Sequence, residues 1–434
     1  MTGSMDGRRN HRLRAALIAS VGGFLFGFDW VVIAGAKPFY ESHFGIVDSP
    51  LVQGSMMAAA LAGCLVGSLL AGAMSDRYGR KPLLMASAIA FVGSAVGTAA
   101  AGGVIGFGFF RWVGGVAIGM TASTAPLYIA EISRQEHRGQ MVSVHQLMIV
   151  IGILAAQVAN WFFSTYADVG FSVWPGIVLD GTNCWRAMFA IEALPAAWFL
   201  WWLRGVPESQ SATVKMPMSE SRSERGEAFE IAESGNVRRL FVGVLLAVFQ
   251  QWCGVNILFS YAENVFSAAG YELDTVMTSM VCTGIINLLF TIVAMLVVDR
   301  VGRRPLLIVG GCGLAVIFAG LGLAYQNVAA PVWILVIVMS AIALYAMTLA
   351  PVTWIVISEI FAEPRRGWQM GLCVASLWTA NALLTFLYPS LEASFGIGTL
   401  FFAFAGLCAF AAGLMMLGLP ETRTNRLVSA KPER

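Results

Sequence analysis

The chain has 434 residues, of which 58% are hydrophobic and 12% charged, with a formal net charge of +2. A soluble domain carries roughly 25% charged residues, and twelve helical membrane spans of about 22 residues each would occupy roughly 260 residues. This balance excludes a soluble enzyme, a disordered chain and a secreted disulfide scaffold. It also excludes an outer-membrane barrel, whose strands of about 10 alternating residues leave no long unbroken apolar runs.

From the N-terminus, Arg8, Arg9, Arg12 and Arg14 precede an apolar run that ends near Ala34-Gly35-Ala36. This resembles a signal peptide, but the run exceeds the about 7–15 residues of a signal core, and it contains Asp29. It reads as a retained first span. With it, the runs of spanning length number twelve, in order: 13–36, 51–74, 82–101, 104–129, 140–165, 185–204, 238–265, 273–298, 305–326, 331–357, 369–390 and 396–419. Backbone in lipid must pair within its own segment, so each run is expected to be a helix. The seven cysteines form no CxxC or Cys/His cluster and read as apolar packers, so no metal site is expected.

Basic residues orient the spans. Of the 27 Lys and Arg, 24 lie on the side that carries both termini and the loops after even-numbered spans; Lys37, Arg111 and Arg186 are the exceptions. The positive-inside rule assigns that side to the cytosol and the chain to the inner (plasma) membrane. The polar stretch 205–237, with Pro207, Pro217 and many Ser, Glu and Arg, reads as a cytosolic linker between a half at 1–204 and a half at 238–434. Short surface helices such as 219–233 are expected within it.

The two halves repeat. Asp76-Arg-Tyr-Gly-Arg-Lys-Pro-Leu-Leu84 recurs as Asp299-Arg-Val-Gly-Arg-Arg-Pro-Leu-Leu307, with seven of nine positions identical at a spacing of 223 residues. Glu131-Ile-Ser-Arg-Gln-Glu-His-Arg-Gly139 echoes Glu359-Ile-Phe-Ala-Glu-Pro-Arg-Arg-Gly367, and Pro207-Glu208-Ser209 echoes Pro420-Glu421-Thr422. Three matched pairs in order indicate parallel duplication, an arrangement suited to rocking around a central site.

On these motifs, with Arg111-x-x-Gly114-Gly115 and Gln250-Gln251-x-x-Gly254-x-Asn256, the chain resembles the sugar porter family of the major facilitator superfamily over essentially its whole length. The resemblance implies an all-α membrane protein of twelve helices in two parallel six-helix halves, working by alternating access on a hexose, pentose or polyol. It also implies sugar contact by Gln146, Gln250, Gln251, Asn256, Asn287 and Trp354, with Trp378 and Asn381 as further candidates. The chain departs from the family pattern at Ser260-Tyr261, where the family has two tyrosines, at Leu377, and at Thr348-Leu-Ala-Pro351.

The residues support a sugar site independently. Sugar hydroxyls both donate and accept, so their site needs neutral amides and an aromatic face. Gln157 and Asn160 follow Gln146 by 11 and 14 residues. At about 100° per residue this puts all three within roughly 40° of one direction. Gln250, Gln251 and Asn256 cannot share one face of a regular helix, so an irregularity near Gly254 is expected. A lone buried amide serves equally well to tie helices together; the set points to a cavity.

Asp29 is an acid deep in span 1, where an ionised carboxylate costs roughly 2.5–3.5 kcal/mol. Arg111 is its expected partner and Glu192 a second buried acid. An acid that exchanges a cation for an apolar setting can carry a proton. In the family, proton-coupled members have Asp at the position matching Asp29, which makes Asp29, Arg111 and Glu192 the expected proton-coupling set. The repeated loops supply an expected cytosolic gate: Asp76, Arg77, Arg80, Glu131 and Arg138 in one half, Asp299, Arg300, Arg303, Glu359 and Arg366 in the other. The alternative with the same fold is a facilitative uniporter or a polyol porter. A non-transporting sensor fits poorly with tails of about 12 and 15 residues. No nucleophile elbow, phosphate loop or basic–aromatic patch suggests an enzyme or nucleic acid, and no cofactor is expected. The expected partners are a sugar or polyol, protons and the lipid bilayer, with the monomer as the working unit.

Overall fold

A computed structural model of the chain describes residues 2–133, 138–167, 172–174, 177–178, 180, 182–209, 227–361 and 366–418. The first half comprises α1 (Thr2–Phe44), α2 (Pro50–Tyr78), α3 (Arg80–Ala100), α4 (Val104–Ile132), α5 (Arg138–Ala167), strands β1 (Ser172–Trp174) and β2 (Ile177–Val178), α6 (Cys184–Ala190) and α7 (Ala193–Arg204). The second comprises α8 (Glu227–Trp252), α9 (Val255–Ser260), α10 (Ala262–Ala268), α11 (Leu273–Val301), α12 (Arg303–Gln326), α13 (Pro331–Met347), α14 (Leu349–Glu359), α15 (Arg366–Phe395) and α16 (Ile397–Gly418).

Eleven segments among the described residues are long and apolar enough to cross a membrane. The run 185–204, expected as one more continuous span, is instead divided into α6 and α7 at Ile191–Glu192. Pro195 explains the break: it has no N–H for the carbonyl of Ile191, and its ring crowds that carbonyl. Glu192 and Leu194 bond three residues back, to Phe189 and Ile191, at 3.3 Å each, which tightens the turn. Pro351 acts alike at Met347, and the run 331–357 is divided at Thr348. The expected irregularity in span 7 is at Gly254, which takes φ +92° between α8 and α9.

β1 and β2 form a short antiparallel ladder, Ser172 opposite Val178 and Trp174 opposite Ile177, between α5 and α6. One detail corrects an expectation. At the linker, no separate helix ends near residue 233: α8 starts at Glu227 and runs unbroken into span 7. Residues 210–226 and 419–434, including Pro420-Glu421-Thr422, lie outside the described residues.

In the first half α4 packs against α2 and α3, and α1 against α5; in the second, α12 packs on α16 and α8 on α15. The halves meet chiefly through α2 on α15 and α5 on α11. The α2–α4 seam is built from Gly63 and Gly67 facing Gly115 and Gly119, a GxxxG spacing on both helices. A Cβ on any of the four would strike the partner's backbone. In lipid, where apolar surface gives no drive to associate, such backbone approach supplies the contact energy.

The duplicated loops adopt one geometry twice. Gly79 (φ 92°, ψ 169°) separates α2 from α3, and Gly302 (φ 101°, ψ 164°) separates α11 from α12. Side chains rarely adopt this region, so glycine lets two helices turn without a loop.

Candidate functional site

Asp29, on the middle of α1, is fully buried. Arg111 of α4 bonds its Oδ1 through Nη1 and its backbone carbonyl through Nη2, the latter at 2.9 Å. The guanidinium also lies over the Phe189 ring of α6, 5.3 Å from its centroid. Gly114, one turn on from Arg111, leaves the room that Asp29 Oδ2 occupies: a Cβ there would crowd both that oxygen and Ser94. Glu192 is equally buried, at the α6–α7 break, within electrostatic reach of Asp29 and Arg111. Asp29 Oδ2 and Glu192 Oε1 have no hydrogen-bond partner among the described residues. The arginine thus bonds Asp29, Glu192 is buried without an ion pair of its own among the described residues, and one oxygen of each carboxyl is left over.

The second half buries amides instead. Gln251 donates to Gln250 Oε1 at 3.2 Å, and Asn256 Nδ2 donates to Gln251 Oε1 at 2.5 Å. Gln250 Nε2 donates to Ala350 O at 3.3 Å, at the α13–α14 break. The chain of amides therefore starts at one interrupted helix and ends on another. Gly254 makes this possible, because the turn it allows brings Asn256 back over Gln251.

The other expected contacts divide into those that tie helices and those that do not. Gln157 donates to Thr283 of α11 at 3.3 Å, across the halves, whereas Asn160 donates to Val32 O of α1 at 3.1 Å. The two share a face of α5 and still hold different neighbours. Asn381 accepts from Thr385 on its own helix at 3.3 Å. Asn287 is buried on α11, and Gln146 is half-buried on α5. Trp378 is buried, 5.9 Å from Phe26 of α1, while Trp354 is 38% exposed on α14.

At the face carrying the termini, Arg80 pairs with Glu131 at 3.1 Å and Arg303 with Glu359 at 3.2 Å. Lys81 Nζ donates to Arg204 O at 3.1 Å, ending α7, and Arg304 Nη2 to Met416 O at 2.7 Å, near the end of α16. Each contact lies within one half. Arg77 is exposed and lies over Tyr78; Arg300 is also exposed. The side chains of Asp76, Arg138, Asp299 and Arg366 lie outside the described residues. Glu208 accepts from the N–H of Arg80 at 2.9 Å and of Lys81 at 3.2 Å, placing a carboxylate on the N-terminus of α3.

At the opposite face lies a cluster that sequence reasoning passed over. Lys37 of α1 is buried between Glu41 of the same helix, at 3.2 Å, and Glu263 of α10, at 3.1 Å. With Gln53, Asn264 and Glu392 they line a cavity of about 430 Å³. The i, i+4 spacing of Lys37 and Glu41 was the one available signal; Glu263 is 226 residues from Lys37. Near this face Asp180 accepts from Thr182 and Asn183 ahead of α6, and these bonds hold its carboxyl below the usual range.

A family model described as "Sugar (and other) transporter" matches residues 15–432. The chain is 31% identical to the D-xylose-proton symporter of Escherichia coli K12, over 95% of this chain and 93% of that protein. It is also 31% identical to the glucose facilitated diffusion protein of Zymomonas mobilis, over 95% of each. Among solved structures, a crystal structure of D-xylose-proton symporter superposes with a TM-score of 0.82, at 31% identity, over 95% of this chain and 99% of that one.

Proposed function

The chain belongs to the sugar transporter family of the major facilitator superfamily, and we propose that it is a secondary active transporter that moves a sugar together with a proton by alternating access. The observation that carries the coupling is the fully buried pair of Asp29 with Arg111, which has a second buried acid, Glu192, at the nearby break between α6 and α7. An acid next to Arg111 is held ionised, and the same acid deprived of it takes a proton. A proton is thereby bound or released whenever rocking of the helices changes that contact.

The sugar site in this reading lies between the halves, with Gln250, Gln251 and Asn256 offering amides, Gln146, Gln157, Asn287 and Asn381 contributing further ones from other helices, and Trp354 and Trp378 supplying aromatic faces. The amide chain supports it: its hydrogen bonds are made among side chains that also bond hydroxyls, so a sugar exchanges one set of partners for another. The repeated loops form the gate on the cytosolic side, with the termini on that side in accordance with the distribution of 24 of 27 basic residues. The working unit is a lipid-embedded monomer of two halves, 1–204 and 238–434, joined by the linker 205–237.

Asp29→Asn tests the coupling in proteoliposomes with xylose as the probe sugar. It keeps size and most hydrogen bonding but cannot change charge. Accumulation driven by a pH gradient is expected to vanish, while exchange between equal pools persists. Retained accumulation that a protonophore abolishes would place coupling on another residue. Wild-type uptake indifferent to the proton gradient would replace symport by facilitated diffusion.

A further inference from the structure

We propose that Lys37 is an outer latch that is handed between two carboxylates, closing the far face when bound to Glu263 and kept company by Glu41 when that face opens. This rests on the alternating-access reading above.

Four observations carry it. First, the boundary between the halves runs between Lys37 and Glu263. Lys37 and Glu41 belong to α1. The segment carrying Glu263 is fastened to the second half: Tyr261 donates to Thr385 O of α15 at 2.6 Å, and Asn264 donates to Glu392 of α15 at 2.9 Å. When the halves separate at this face, Glu263 leaves with α15 and Lys37 stays with α1.

Second, Lys37 is 4% exposed. A buried ammonium stripped of its only partner is strongly disfavoured, so a single lysine–glutamate pair across the halves would resist opening. Glu41, one turn along the same helix and 3.2 Å away, removes that penalty because it travels with the lysine. Third, Glu41 is itself 4% exposed and its Oε1 has no hydrogen-bond partner among the described residues. It holds a free acceptor beside the lysine that leaving Glu263 would release. Fourth, the pair borders a cavity of about 430 Å³ into which Glu263, Asn264 and Glu392 project from the second half, which gives the opening motion a place to begin.

The two glutamates therefore have opposite duties toward one ammonium. Removing Glu263 takes away the closed partner and favours opening. Removing Glu41 takes away the open partner and favours closure. A merely structural charge cluster would respond to either loss in the same direction.

The test uses spin labels at Ile105→Cys and Val328→Cys, exposed at 89% and 90% on the far face of the two halves, in the full chain with its seven native cysteines replaced and embedded in lipid nanodiscs. Pulsed dipolar spectroscopy reads the ratio of long to short distances. Lys37→Met and Glu263→Gln are each expected to raise that ratio about tenfold. Glu41→Gln is expected to leave it at or below the wild-type value. The exchange Lys37→Glu with Glu263→Lys restores the pair with its charges reversed and is expected to bring the ratio back toward wild type. Equal opening in Glu41→Gln and Glu263→Gln overturns the latch, as does an unchanged ratio in Lys37→Met and Glu263→Gln while the wild type shows both distances. A wild type that never shows a second distance, under any proton or xylose concentration, overturns the alternating-access reading itself, a different failure.

Discussion

Arg80 and Arg303 make the same contact in the two halves, but Asp29, Arg111 and Glu192 have no charged counterpart among Gln250, Gln251 and Asn256. The duplicated parts match down to individual donors: Arg80 reaches Glu131 as Arg303 reaches Glu359, and Lys81 donates to the carbonyl at the end of one sixth span as Arg304 does near the end of the other. Gly79 and Gly302 agree within 9° in φ and 5° in ψ. The interiors have gone separate ways. One buries ions, the other a chain of neutral amides. After duplication, the loops at the terminal face kept the geometry that both halves need, while each interior was free to take on a different chemistry.

The comparison predicts a graded series of losses. The largest is at Arg111. Arg111→Met leaves Asp29 buried without its cation, and losing one member of such a pair costs about 3–5 kcal/mol. Thermal unfolding in detergent should show a midpoint far below wild type. The double variant Asp29→Asn with Arg111→Met should recover most of the loss, since no uncompensated charge remains. A midpoint as low in the double as in the single would mean that the pair is not the source of the cost.

Next come the turn glycines. Each sits in a region that an alanine occupies only at a cost of about 1–3 kcal/mol. Gly79→Ala and Gly302→Ala should both lower the midpoint, with Gly79 the more sensitive, because its Cβ would also come within 2.9 Å of the Glu208 carboxylate. A harmless substitution in one copy alone would break the equivalence of the two loops. The smallest effect belongs to the amides. Gln251→Ala should weaken sugar binding about tenfold, near 1.4 kcal/mol, with little change in the midpoint. Calorimetry of the purified variants reads this directly, and undiminished binding in Gln250→Ala, Gln251→Ala and Asn256→Ala alike would remove them from the site.

How far the sequence could be read followed from which features are local. The long apolar spans were visible because lipid imposes a run length on each. The irregularity at Gly254 was visible because Gln250, Gln251 and Asn256 could not otherwise face one way. The division of the sixth span was equally local, since Pro195 lies four residues after Ile191, but the apolar run hides it from a scan by hydropathy. The Asp29–Arg111 pair was foreseen from the cost of a lone acid in lipid. The Lys37–Glu263 pair was not, because both residues lie near span ends, where a charge is cheap, and no motif links them. Likewise, Pro207-Glu208-Ser209 was visible as a repeat, but only the fold shows Glu208 seated on the N-terminus of α3.

The glycine seam between α2 and α4 bears on how force is carried through the molecule. Side chains that interlock can slip past one another by changing rotamer, whereas two backbones in contact at Gly63, Gly67, Gly115 and Gly119 have no rotamers to change. The seam therefore behaves as a weld. α2 reaches the other half through α15, and α4 carries Arg111. A tilt of α2 at the boundary thus bears directly on the backbone of the helix that carries Arg111, much as a crank bears on its shaft.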